Sequence, residues 1–236
     1  MGVNSPASSH SRSDTALHIR WSLAVLLAVC LSIVSLASAE AQDKQQDKPL
    51  KIIALGDSLT AGYGVGPGEA LPDRLEAALK ARGLAVRIVN AGVSGETAQD
   101  GLARLDWSLD GDVDAAIVCF GGNDFLRGLP PATTRAAIDG LVGGIRARGL
   151  PVLLVGMRAP ANMGADYIAA FDPIFPETAA RHGALFYPFL LDGVALDASL
   201  NQRDGLHPNP RGVDIIVGRI LPMVEALVAA ARSRRG

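Results

Sequence analysis

Apolar residues are distributed along this chain in two alternating ways, as short runs and at helical spacing. Five runs rich in branched side chains, at 50–55, 85–89, 115–120, 151–157 and 184–187, have the length of strands. Several are unbroken instead of alternating, which predicts parallel strands covered on both faces. Between them the spacing turns helical. Leu71, Leu75, Ala78 and Leu79 share one face, as do Ile138, Leu141, Val142 and Ile145. A last helix carries Val213, Ile216, Val217, Ile220, Val224, Leu227 and Val228, with Pro222 inside it. Proline has no backbone donor, so a kink is expected there. Strand and helix in alternation predict a parallel sheet with helices on both sides, in one domain spanning 49–232.

The first 48 residues follow a different pattern. Arg12, His18 and Arg20 precede an apolar run at 21–36, and small residues follow at Ala37-Ser38-Ala39. Basic segment, apolar segment and small-residue cleavage site in that order describe a secretory signal peptide over 1–39. The run is about 16 residues, shorter than the about 20 a membrane span needs, and an uncleaved anchor is the rival reading. Residues 40–48 are polar and read as a solvated leader. The expected location is therefore periplasmic or secreted, with no stable membrane insertion after cleavage. Removing the signal also removes Cys30, so Cys119 remains alone and no internal disulfide can form.

Composition adds mainly exclusions. The chain has 236 residues with a formal charge of −2, and no broad basic field for nucleic acid. Gly62, Gly64, Gly66 and Gly68 suggest a phosphate loop, but no Lys-Ser/Thr follows at the required spacing. No metal-ligand motif is present, and Asp57, Asp124 and Asp204 each stand beside another candidate residue, which argues against a shared magnesium. Nothing in the sequence speaks to oligomeric state.

In open parallel sheets, ligands bind beyond the carboxyl ends of the strands. The chemically capable residues fall there. The first strand runs into Gly56-Asp57-Ser58-Leu59, where a serine hydroxyl can stand exposed at the mouth of the sheet. Ser58 is the candidate nucleophile, or else a helix N-cap. Ser94 competes but lacks the G-x-S-x-G frame, because Glu96 follows it at the second glycine position. Cys119 lies inside an apolar run and reads as buried.

Two histidines remain after signal removal. His182 precedes Gly183 at a predicted helix end, where an imidazole interacts favourably with the helix dipole and needs no catalytic role. His207 stands in Asp204-Gly205-Leu206-His207-Pro208, with a carboxylate three residues back that can hold its tautomer. The alternative is that Asp204 and His207 are turn and cap residues. Acyl transfer also needs oxyanion donors. The N–H groups of Ser58 and Gly95 and the side-chain amide of Asn123 can supply them from three strand ends.

The blocks GDSL (56–59), NAGVSGET (90–97), GGND (121–124) and DGLHP (204–208) resemble those of the SGNH, or GDSL, hydrolases. The namesake residues map to Ser58, Gly95, Asn123 and His207, with Asp204 as the triad acid. The stretches 121–131 and 158–164 are similar to the secreted bacterial branch described as thioesterase, lysophospholipase and arylesterase. The resemblance covers about residues 50–225. It implies a flavodoxin-like three-layer α/β/α sandwich with a five-stranded parallel sheet, water as acyl acceptor, a small-molecule ester or thioester substrate, and no metal or other cofactor. Phe125, Leu126, Leu129, Pro130 and Pro131 follow the oxyanion asparagine; with Arg158–Met163 they either line an acyl pocket or pack beneath their loop. Two further readings stand beside the esterase: a polysaccharide O-deacetylase with the same triad, and a non-catalytic secreted binding protein.

Overall fold

The computed structural model describes residues 1–2 and 48–235. The signal and leader readings fall on 3–47, outside the described residues. From Lys48 onward the chain forms one compact unit.

Five strands make one sheet, all parallel: β1 (Leu50–Gly56), β2 (Val86–Gly92), β3 (Ala115–Cys119), β4 (Val152–Val155) and β5 (Leu185–Tyr187). Their order is β2-β1-β3-β4-β5, the doubly wound arrangement of flavodoxin-like folds. Every residue of β3 and β4 is buried, and all of β1 except Lys51, which accounts for their unbroken apolar runs. The edge strand β2 alternates instead, burying Val86 and Ile88 while Arg87 and Asn90 face solvent.

β2 outruns its apolar run by three residues. β2 continues through Asn90, Ala91 and Gly92, which the sequence places in a loop. These residues carry no apolar run because an edge strand needs none, yet they pair with Ala54, Leu55 and Gly56.

The helices are α1 (Ser58–Ala61), α2 (Leu71–Ala81), α3 (Ala98–Ala103), α4 (Leu105–Ser108), α5 (Gly122–Leu126), α6 (Pro131–Ala147), α7 (Ala165–Phe171), α8 (Ile174–His182) and α9 (Pro210–Arg235). α2 packs on α9 in one layer, and α6 packs on α3, α7 and α8 in the other. The predicted faces are the buried ones. Ile138, Leu141, Val142 and Ile145 of α6 are fully enclosed, and all seven apolar residues named for α9 are buried. Each such side chain contributes about 1.5–3 kcal/mol on burial. α9 runs as one helix from Pro210 to Arg235 with Pro222 inside it.

Candidate active site

β1 ends on Gly56, and its neighbours β2 and β3 reach the same rung: Gly56 pairs with Gly92 on one side and Cys119 on the other. Three loops therefore leave adjacent strands at one level, carrying Ser58, Gly95 and Asn123. Close approach explains the small residues on this rung. A Cβ on Gly92 would stand 2.3 Å from the Ala61 nitrogen, and one on Gly56 2.1 Å from the Thr60 hydroxyl.

Asp57, not Ser58, caps the short helix α1: its carboxylate accepts from the Leu59 N–H at 3.0 Å. This answers the capping alternative for Ser58. The serine takes the first helical position, and its hydroxyl is left to meet His207. His207 Nε2 lies 2.8 Å from Ser58 Oγ, across 149 residues of chain. The other ring nitrogen, Nδ1, lies 2.7 Å from an Asp204 carboxylate oxygen. With Asp204 accepting from Nδ1–H, Nε2 is the acceptor for the serine O–H.

Asp204 is held by its own loop. Its second oxygen accepts from the N–H of Leu206 at 2.9 Å and of His207 at 3.0 Å. The His207 backbone N–H, then its imidazole, then the Leu206 N–H draw the Asp204 carboxyl down to about 2, so it is ionised at any ordinary pH. The loop is tied back where the Gln202 N–H donates to the His207 carbonyl at 2.8 Å. The Tyr63 ring covers the imidazole with centroids 4.7 Å apart.

On the opposite side of Ser58, the Asn123 amide donates to the Glu96 carbonyl at 2.9 Å and makes only a long contact, 3.5 Å, with Asp57. One amide hydrogen is thus anchored, while the other is weakly held. Among the described residues, the N–H groups of Ser58 and Gly95 have no hydrogen-bond partner. Gly95 adopts a positive φ of 88° that only glycine takes readily, and its carbonyl accepts from Arg127.

Two buried carboxyls brace these loops. Asp124 accepts from the Ala98 N–H at 3.0 Å and the Thr134 hydroxyl at 2.9 Å, and burial pushes it above the usual carboxylate range. Burial likewise raises Asp57 to about 6, against the lowering pull of the Leu59 N–H and nearby His207.

A cleft of about 470 Å³, counting its open mouth, is lined by Ser58, Asn123 and His207 on its polar side. Phe125, Leu126, Met157, Leu191 and Leu206 form its apolar side. A second cleft of about 320 Å³ adjoins Ser58 and His207 beside Tyr63, Val65 and Leu190. Phe125 and Leu126 thus line the same cleft as Ser58 and His207. Leu129 and Pro130 are not among the residues that line these two clefts. Gly128 before them adopts a positive φ of 65°, and the Tyr167 hydroxyl donates to the Leu129 carbonyl at 2.8 Å. Met157, Leu191 and Leu206 are absent from the sequence-based candidates. Met157 at least ends an apolar run, on the side of the sheet where ligands gather.

The other candidates lie elsewhere. His182 ends α8 with Gly183 as its left-handed cap, and its Nε2 lies 2.8 Å from Asp139. Ser94 is exposed, and the His207 Nε2 faces Ser58 instead. Cys119 is buried, which pushes its thiol well above the usual range.

The chain is similar to proteins of known name. The model of the GDSL-like Lipase/Acylhydrolase family matches residues 54–215. "Esterase TesA" of Pseudomonas aeruginosa is 34% identical over 206 residues, covering 87% of this chain and 99% of that protein. "Thioesterase 1/protease 1/lysophospholipase L1" of Escherichia coli is 33% identical over 210 residues, covering 89% and 94%. Among solved structures, AlinE4, described as an SGNH-hydrolase family esterase, is 44% identical with a TM-score of 0.65, covering 76% of this chain and 96% of its own.

Proposed function

The chain belongs to the GDSL-like lipase/acylhydrolase, or SGNH, family, and on that premise we propose that Ser58 attacks the carbonyl of a carboxylic ester or thioester. The protein is a serine ester hydrolase. As the Ser58 oxygen bonds to the carbonyl carbon, its proton passes to His207 Nε2, and Asp204 stabilises the imidazolium through Nδ1–H. The oxyanion accepts from the N–H groups of Ser58 and Gly95 and from the weakly held hydrogen of the Asn123 amide. Collapse of the intermediate expels the alcohol or thiol, which takes the proton from His207, and leaves an acyl ester on Ser58. Water then attacks that ester with His207 as base, releasing the acid and restoring the serine.

The observation that supports this reading is the unbroken chain of two contacts, 2.7 and 2.8 Å, from Asp204 through His207 to Ser58. Phe125, Leu126, Met157, Leu191 and Leu206 favour an apolar acyl group over a sugar acetate. Delivery beyond the inner membrane, to a periplasm or the medium, follows from the signal pattern at 1–39. No helix among the described residues is long and apolar enough to cross a membrane.

The test is hydrolysis of p-nitrophenyl esters from two to sixteen carbons by the chain beginning at residue 40. Turnover is expected to persist into the longer acyl chains. Correctly folded protein that hydrolyses none of them would favour a binding role instead.

A further inference from the structure

Asn123 can serve an oxyanion only if its amide is held in one orientation, and the group holding it is a backbone carbonyl, that of Glu96. The peptide unit of that carbonyl is tied on one side by the Thr97 N–H, which donates to Asp100 at 2.9 Å, and the Glu96 side chain on the other is held by a charge pair that no catalytic step uses. The Arg104 Nε donates to both Glu96 carboxylate oxygens, at 2.9 and 2.8 Å, and one terminal nitrogen lies 2.6 Å from the nearer of them. That same nitrogen donates to the Ala91 carbonyl at 2.8 Å, and the other to the Ser108 hydroxyl at 3.0 Å. Both side chains are largely enclosed, at 15% and 16% exposure, whereas most ion pairs of this protein lie at the surface.

One planar guanidinium thus clamps the end of β2, the last residue of α4 and the Glu96 side chain. Glu96 directly follows Gly95. A buried pair of this kind is a weak source of stability, because desolvating two charges offsets much of their attraction. It is a strong source of geometry, since the fork fits a carboxylate in few orientations.

We propose that Arg104 is a positioning residue for ester hydrolysis, acting through Glu96 to orient the Asn123 amide. The inference rests on the reading of Asn123 as an oxyanion donor. Lysine at 104 would keep the charge but lose the fork, letting the 96 carbonyl drift. Displacement of a catalytic group by about 1 Å costs on the order of a hundredfold in rate.

The test is a double-mutant cycle on a soluble p-nitrophenyl ester, with thermal melts to confirm folding. Arg104→Lys should lower kcat about 10- to 100-fold and leave KM within about twofold. In an Asn123→Ala background, itself about 10²–10³-fold slower, the same change should cost no more than about twofold. Should Arg104→Lys not fold, Glu96→Gln carries the same cycle, since it weakens the fork and keeps the carbonyl. Equal losses in both backgrounds, or an Arg104→Lys enzyme with full kcat, would overturn the positioning role alone. An Asn123→Ala enzyme with undiminished kcat would overturn the oxyanion reading itself, and this inference with it.

Discussion

Two histidines among the described residues sit against carboxylates at nearly equal distance, His207 on Asp204 at 2.7 Å and His182 on Asp139 at 2.8 Å. The pairs differ in everything around them. Asp204 is held by two backbone N–H groups besides the ring, and the free side of His207 meets a serine. Asp139 is shared with Arg181, and burial pushes its carboxyl up while the hydrogen bonds and charges of His182 and Arg181 together draw it below the usual carboxylate range. There the imidazole ends a helix and completes a surface ion pair. A His–Asp contact is therefore not a catalytic signature by itself; the third partner, and a loop that holds the carboxylate from behind, make the difference.

Three substitutions probe that contrast. The largest effect is expected from Asp204→Asn, which leaves the loop intact but favours the wrong tautomer of His207. It should cost about 10⁴ in kcat, with the thermal midpoint little changed; a loss under tenfold would place Asp204 with Asp139 as a structural anion. Asp57→Asn comes next and concerns a carboxyl of the opposite kind. Burial raises Asp57 from 3.8 to about 6, so its contribution to stability is fully present below about pH 4 and lost as pH rises through 6. The variant should therefore outlast the parent at pH 8 by roughly 3 kcal/mol, the gap closing between pH 6 and 4. Denaturant melts across that range check the sign. The smallest effect belongs to His182→Ala, expected to shift stability by less than about 1 kcal/mol, as for surface pairs, and to leave kcat within about twofold.

Much of this was legible because burial and chemistry leave different marks. The central strands are apolar on both faces, so β1, β3 and β4 stood out as runs, and the polar residues directly after them marked the mouth of the sheet. His207 could be separated from His182 because Asp204 precedes it by three residues in a tight turn, whereas His182 precedes a glycine cap. What escaped was decided by direction or by distance in the chain. Met157, Leu191 and Leu206 come from three separate loops, and only the folded sheet brings them together. Arg104 and Glu96, eight residues apart, carry no motif, and their pairing depends on how α3 and α4 turn back over the end of β2. The short helix α3 did have a readable start in its Thr97–Asp100 capping box.

The central claim is that Ser58 is a nucleophile activated by His207, and covalent capture tests it most directly. A fluorophosphonate incubated with the chain from residue 40 should attach to one residue, located by mass spectrometry of the digested protein. The account predicts stoichiometric modification at Ser58, abolished by Ser58→Ala and strongly slowed by His207→Ala. Equal labelling of the Ser58→Ala protein, with the phosphonate on Ser94 or another serine, would contradict it.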